Sequence, residues 1–235
     1  MEISVKGLIF DYGGTIDTNG IHWGEVIWQA YENVDTTVSR EDFREAYVHV
    51  ERMLGNQPII QPEHTFRDTL EIKIKLQFEK LRLTDMAQAK NIVESCYKNT
   101  TKTINRATEI LKDLDARYTM ILVSNFYGNL RTVLNEFGLT KYFDEVIESA
   151  EVNIRKPDPA IYRLSIEKIG LNTEEVVIIG DSYKNDINPA NILGCPSIWL
   201  KGKGWDDKDE AIKHPFIIKD FSELTSSIGS INLGL

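Results

Sequence analysis

The spacing of β-branched runs in the second half of this 235-residue chain limits the fold more than any other feature. After Thr103 come Met120-Ile121-Leu122-Val123, Glu145-Val146-Ile147, Val176-Val177-Ile178-Ile179, Ser197-Ile198-Trp199-Leu200 and Phe216-Ile217-Ile218. Helical patterns alternate with them at about 104–115, 128–137, 158–169, 184–193 and 221–228. Near-continuous apolar strands separated by helices form a parallel sheet covered on both faces, because each crossover lays its helix on the sheet. One earlier strand, Leu8-Ile9-Phe10, is stopped by Gly13 and Gly14. The expected fold class is α/β, a Rossmann-like doubly wound parallel sheet.

From Ile21 to about Lys98 the periodicity is helical and no strand is evident. Ser39-Arg40-Glu41-Asp42 reads as a helix start, followed by an apolar face through Phe43, Ala46, Tyr47, Val50 and Leu54. Gly55 to Pro62 is a break, Thr65 to Leu83 a second amphipathic helix, and Thr84 to Tyr97 a third. Residues 19–99 therefore form a small all-helical unit, inserted into a core made of 1–18 and 100–235.

Four short stations fall at the ends of strands. They are Asp11-Tyr12-Gly13-Gly14-Thr15, Val123-Ser124-Asn125, Arg155-Lys156-Pro157 and Gly180-Asp181-Ser182-Tyr183-Lys184-Asn185-Asp186. In an open parallel sheet the ligand lies beyond the carboxyl ends of the strands, so all four would meet. Singly, each has an ordinary reading: Asp11 as a turn residue, Ser124 as a helix cap, Lys156 as a surface cation. Together they offer a carboxylate nucleophile, a hydroxyl, an ammonium and a second pair of carboxylates. Three clustered acids need a cation, or one of them must protonate. Hard oxygen donors suit Mg²⁺. Phosphoryl transfer, whose charge-rich transition state is stabilised chiefly by positioning and electrostatics, asks for such a set.

The bulk properties narrow the partners. A net charge of −9 argues against nucleic acid and anionic membranes. A phosphorylated small molecule remains compatible, since a metal and a lysine can reverse the field within one pocket. No stretch approaches the ~20 apolar residues of a membrane span. The start Met1-Glu2-Ile3-Ser4-Val5-Lys6 lacks the form of a signal peptide, and the expected location is cytoplasmic. Cys96 and Cys195 have no metal-ligand spacing and read as buried or half-buried thiols. The charged segment Lys201–His214 reads as a surface loop, with Trp205 packing on the sheet edge or rimming the site.

Taken in order, the stations resemble those of the haloacid dehalogenase-like hydrolase superfamily, in particular members with a helical cap inserted after the first motif. The resemblance spans about Val5 to Leu200. It implies that Asp11 is the nucleophile taking up a phosphoryl group, with Ser124 and Lys156 as its catalytic companions. Gly14, Thr15, Ser124, Asn125 and Lys156 would bind the phosphate. Asp11, the Gly13 carbonyl, Asp181 and Asp186 would hold Mg²⁺, with Asp186 ligating through water or orienting Lys156. The implied activity is that of a phosphatase acting on a small phosphorylated metabolite.

The sequence departs from that pattern at Gly13, where such phosphatases usually carry an acid that protonates the leaving alcohol and then activates water. General acid–base help is worth ~10²–10⁴ in rate. Asp17, His22 and Glu25 lie near enough in sequence to be considered as substitutes. The alternative function is a weak or inactive relative that binds a phosphorylated ligand or a protein partner. A 2-haloacid dehalogenase is disfavoured by Asp181, because those enzymes need no metal. A phosphonate hydrolase would require a lysine early in the cap, and none lies between Lys6 and Lys73. Selection of the leaving group falls to the inner face of the cap, where Trp23, Trp28, His22, His49, Arg52 and Arg67 are the candidates. Phe43, Tyr47, Phe66 and Phe78 read as packing.

Overall fold

The first strand, β1 (Gly7–Phe10), lies at the centre of the sheet and is buried along its whole length. The computed structural model describes residues 4–205, 209 and 211–234. Met1, Glu2 and Ile3 of the expected N-terminal start, and Asp206, Asp207, Lys208 and Glu210 of the expected surface loop, lie outside the described residues. After β1 come the helices α1 (Trp23–Glu32), α2 (Arg40–Asn56), α3 (Phe66–Leu81) and α4 (Met86–Asp115). The chain then runs β2 (Thr119–Ser124), α5 (Leu130–Glu136), β3 (Glu145–Glu148), α6 (Ser149–Val152), α7 (Ala160–Ile169) and β4 (Val176–Gly180). It closes with α8 (Asn188–Leu193), β5 (Ser197–Leu200), β6 (Ile217–Ile218) and α9 (Leu224–Asn232).

The six strands pair in the order β3-β2-β1-β4-β5-β6, all parallel. The sheet is doubly wound as expected: the chain moves outward from β1 to one edge, returns, and builds the other. The reversal point lies at β1, flanked by β2 and β4, so the loops leaving those three strands open a crevice at one edge. Strand residues alternate between two cores. Leu8, Phe10, Met120, Leu122, Val177 and Ile179 join the larger one. Ile9, Ile121, Val123, Val176 and Ile178 join a smaller one with Ile161 and Tyr162 of α7.

The helical unit forms for the reasons visible in its sequence. Ser39 caps α2 by accepting from the Asp42 N–H, and Phe43, Ala46, Tyr47, Val50 and Leu54 are all buried. Thr65 and Asp68 form a reciprocal capping box at the start of α3. One expectation fails at α4. The separate helices at 84–97 and 104–115 are a single helix of 30 residues, on the order of 45 Å long. The run Asn99-Thr100-Thr101-Lys102-Thr103 looks like a break, yet the hydroxyls of Thr101 and Thr103 donate to the carbonyls of Tyr97 and Asn99 one turn back. The helix thus runs through the position where the sequence divides inserted unit from core, and its first half packs on α3.

Candidate active site

The loop after β1 turns sharply at Gly14, whose φ of +99° lies in the left-handed region that glycine tolerates. A Cβ at this position would also strike the Asp181 carboxylate. The turn puts Thr15 beneath Asp11, and the Thr15 hydroxyl donates to Asp11 Oδ2 at 2.9 Å and reaches Asp181 Oδ1 at 3.4 Å. On the other side, Lys156 Nζ lies 2.5 Å from Asp11 Oδ1, 2.8 Å from Asp186 Oδ1 and 3.2 Å from the Val123 carbonyl. Three of the stations lie at the ends of β1, β2 and β4, which run the same way. The strand end expected at Lys156 is not there: Arg155-Lys156-Pro157 lies in the loop between α6 and α7, and that loop brings the ammonium to the others.

Asp11, Lys156 and Asp186 are each about 95% or more buried, at 4%, 5% and 1% exposure. Burial pushes the Asp11 carboxyl up to about 6 against the opposing pull of the Lys156 ammonium. The half-buried Asp181 is pushed well above the usual carboxylate range by desolvation, and then by Asp11 and Asp186 beside it. Among the described residues no lysine or arginine forms an ion pair with Asp181. Asp11, Asp181 and Asp186 bring carboxylate oxygens within 4.8 Å of one another, the spacing of ligands around a metal ion. Fully ionised, the three carboxylates exceed the single Lys156 charge by two, and their donors are all hard oxygens. A divalent cation such as Mg²⁺ fits that charge and that chemistry.

Asp186 sits differently from the other two acids. Its Oδ1 accepts from both Lys156 and the Tyr162 hydroxyl, the latter at 2.7 Å, and its Oδ2 accepts from the Ser182 N–H at 3.0 Å. A π-turn at Tyr183–Ile187 rotates it inward. These bonds suit it to orient Lys156. Asn125 also holds that lysine: its side chain accepts from the Lys156 N–H and donates to the Lys156 carbonyl, both at 2.9 Å. Asn125 and the buried Ser124 both line the cavity. Tyr162 escaped the sequence reading because it shares the apolar face of α7 with Ile161 and Ile166.

These groups floor a cavity of about 500 Å³, roofed by α1, α2 and α3. Trp23, His22 and Arg52 line it, as expected of the roof. Trp28, His49 and Arg67 do not. Trp28 is buried against Phe43 with the Arg40 guanidinium over its ring. His49 opens onto a separate outer groove. Arg67 pairs with Glu94 on the surface at 2.7 Å. Tyr47 and Phe66, read as packing, line the cavity as well as the core, and Lys73, Glu51 and Tyr127 add polar groups that the sequence did not flag.

The three substitute acids separate in the same way. Glu25 is withdrawn from the cavity, paired with Arg40 and with Lys203 at 2.7 Å. His22 lines the cavity, but its Nδ1 caps α1 by accepting from the Gly24 N–H, and burial pushes its pKa down. Asp17 lines the cavity and accepts from the Gly14 N–H at 2.7 Å and from Trp23 Nε1 at 2.9 Å. Burial pushes its carboxyl up to about 7 against the pull of those two donors.

Of the two places expected for Trp205, the sheet edge and the rim of the site, it takes the second and lines the cavity. It crosses to the helical unit, its ring 5.0 Å from those of His22 and Tyr47 and 4.3 Å beneath the Arg44 guanidinium. A Cβ on Gly24 would fall inside the indole, so only glycine lets α1 receive it. The Lys203 carbonyl accepts from the His22 N–H at 2.9 Å, and with the Lys203–Glu25 pair this straps the loop after β5 to α1.

With this geometry in place, comparison with known proteins is decisive. A family model described as haloacid dehalogenase-like hydrolase matches residues 5–194. The chain belongs to the haloacid dehalogenase-like hydrolase family. Among its relatives in that family is a phosphoglycolate phosphatase of Yersinia pestis, 27% identical over 154 residues. That match covers 61% of this chain and 65% of the relative, so the aligned part is just under two thirds of the relative's length. A glyceraldehyde 3-phosphate phosphatase of Methanocaldococcus jannaschii is 24% identical and is matched over 97% of this chain and 98% of its own. Among solved structures, a dehalogenase with an intermediate complex superposes with a TM-score of 0.65 at 17% identity, covering 96% of this chain and 98% of the other. That likeness concerns the fold. Among the described residues no helix is long and apolar enough to cross a membrane.

Proposed function

We propose that this chain is a Mg²⁺-dependent phosphatase of small phosphorylated metabolites, working through an aspartyl phosphate on Asp11. The reading divides the molecule into a core of residues 1–18 and 100–235 and a cap of 19–99. The observation that carries it is the buried network in which one lysine bridges Asp11 and Asp186 beside an uncompensated Asp181, on the floor of a roofed cavity. The names of the relatives, phosphoglycolate phosphatase and glyceraldehyde 3-phosphate phosphatase, support a short phosphorylated substrate.

In this reading an Asp11 carboxylate oxygen attacks phosphorus and the bond to the leaving oxygen breaks. Lys156 holds Asp11 in place and lowers the repulsion between carboxylate and phosphate. The Ser124 hydroxyl and the Asn125 N–H donate to the transferring oxygens. Asp11, the Gly13 carbonyl and Asp181 would hold Mg²⁺, with Asp186 near them orienting Lys156; when bound, the ion neutralises charge that builds on the phosphoryl oxygens. Water then attacks the aspartyl phosphate, releasing inorganic phosphate and restoring Asp11. No acid at position 13 protonates the leaving alcohol, so substrates that depart as stable anions are favoured.

Phosphate release from p-nitrophenyl phosphate and acetyl phosphate tests the reading. Turnover is expected with Mg²⁺ and is expected to fall at least roughly 10²-fold with EDTA, returning when Mg²⁺ is restored. Gly13 favours a second reading, a phosphate-binding protein with negligible turnover. Mg²⁺-dependent binding of phosphate without hydrolysis of either ester would decide for it.

A further inference from the structure

The roof of the cavity holds a buried cation that the phosphoryl chemistry does not use. Helix α3 turns Phe66, Thr69, Leu70 and Lys73 toward the cavity, one face at helical spacing. The Lys73 side chain is 9% exposed, and its Nζ lies 2.8 Å from Glu51 Oε1. Glu51 is held in turn by the Tyr127 hydroxyl, which donates to Oε2 at 2.6 Å, and the Lys73 ammonium lies 4.9 Å from the Tyr127 ring centre. Among the described residues Glu51 is the only ion-pair or hydrogen-bond partner of Lys73. An ammonium has three donors, so two remain for whatever enters the cavity.

Stability does not account for this arrangement. Desolvating a lysine costs several kcal/mol, and one ion pair seldom repays it better than an apolar side chain of similar length would. Lys73 is instead held out toward the ligand space by partners that fix its direction. Lys73 lines the cavity with its spare donors, in the company of Arg52, Tyr127 and its own partner Glu51. An anionic group on the leaving part of a substrate held at Asp11 would meet those donors. The cavity volume lies toward the lower end of the ~300–1,000 Å³ of ligand sites, which limits the linker to a few atoms.

We propose that Lys73 determines substrate choice by donating to a carboxylate on the leaving group, so that the substrates are short phosphorylated carboxylic acids. This inference rests on the phosphatase reading above. Burial alone would lower the Lys73 ammonium, but Glu51 beside it holds it above its usual range, so Lys73 acts as a cation and not as an amine nucleophile. A neutral polyol phosphate would offer Lys73 no second charged partner beside Glu51.

The test compares 2-phosphoglycolate with 2-hydroxyethyl phosphate, which carries a hydroxyl in place of the carboxylate. The parent protein is expected to favour the acid by roughly 10- to 100-fold in kcat/KM, mostly through KM. Lys73→Met is expected to erase that ratio, and Lys73→Arg to keep part of it. A parent with equal kcat/KM for the two substrates overturns the proposal, as does a Lys73→Met variant with the parental ratio. Calorimetric binding of the same two compounds to Asp11→Asn, with and without Lys73→Met, gives the comparison without turnover. If no phosphate ester is hydrolysed, the phosphatase reading fails. A Lys73-dependent preference for the acid in binding then still upholds the recognition site, and equal affinities overturn it.

Discussion

Asp11→Asn is expected to remove turnover, by at least about 10³-fold, while leaving the protein folded and able to bind phosphate. Asparagine matches aspartate in shape. Its carbonyl oxygen still accepts from Lys156, which lies 2.5 Å from Asp11 Oδ1, and its amide can donate to the Thr15 hydroxyl that now bonds Oδ2. Lys156 keeps its second carboxylate, Asp186, at 2.8 Å, so no unpaired cation is left buried. What disappears is the anionic oxygen that would attack phosphorus. Comparing kcat of parent and variant, with circular dichroism to confirm folding, measures this. Turnover within a few-fold of the parent would place the nucleophile on another residue.

Gly13→Asp is expected to raise turnover. Gly13 lacks the positive φ of its neighbour, and a Cβ built on it meets nothing within 4 Å, so a side chain fits without moving backbone. The position lines the cavity beside Asp11. An acid there could protonate a departing alkoxide and then take a proton from the attacking water, help worth ~10²–10⁴ in rate. The gain should be largest for alkyl phosphates, whose leaving groups are poor, and smaller for acetyl phosphate, where only the second step needs assistance. Steady-state kcat for both substrates in parent and variant checks the ordering. An equal gain for both, or none for either, would mean that the missing acid is not what limits this site.

The sheet was readable because fully buried parallel strands cannot hide their composition. The β-branched runs found at 120–123, 145–147, 176–179 and 197–200 all lie within strands. The convergence of Asp11, Ser124 and Asp181 followed from that topology, since strands running in parallel bring their carboxyl ends to one edge; Lys156 arrives from the loop between α6 and α7 instead. The helix caps at Ser39 and Thr65 were equally local, decided within four residues of chain. The departures have physical causes. Threonines 101 and 103 mimic a break but bond back into their own helix. Tyr47, Phe66 and Lys73 fall on faces whose periodicity cannot distinguish a core from a cavity wall. Glu25 lies near the nucleophile in sequence yet is drawn away by Arg40 and by Lys203, a partner from the far end of the core. Trp205 reaches the cap only because Gly24 leaves room for its ring, a pairing that neither residue signals alone.

Direct detection of a phosphoryl group on Asp11 tests the central claim most closely. With Gly13 in place of an acid, hydrolysis of the aspartyl phosphate lacks its base and should be slower than its formation from acetyl phosphate or p-nitrophenyl phosphate. Rapid mixing with p-nitrophenyl phosphate and Mg²⁺ is expected to give a burst of about one nitrophenolate per chain. Acid quenching followed by peptide mass analysis is expected to locate one phosphoryl group on the peptide containing Asp11. A linear release of product with no burst, and an unmodified Asp11 peptide at every quench time, would contradict the account.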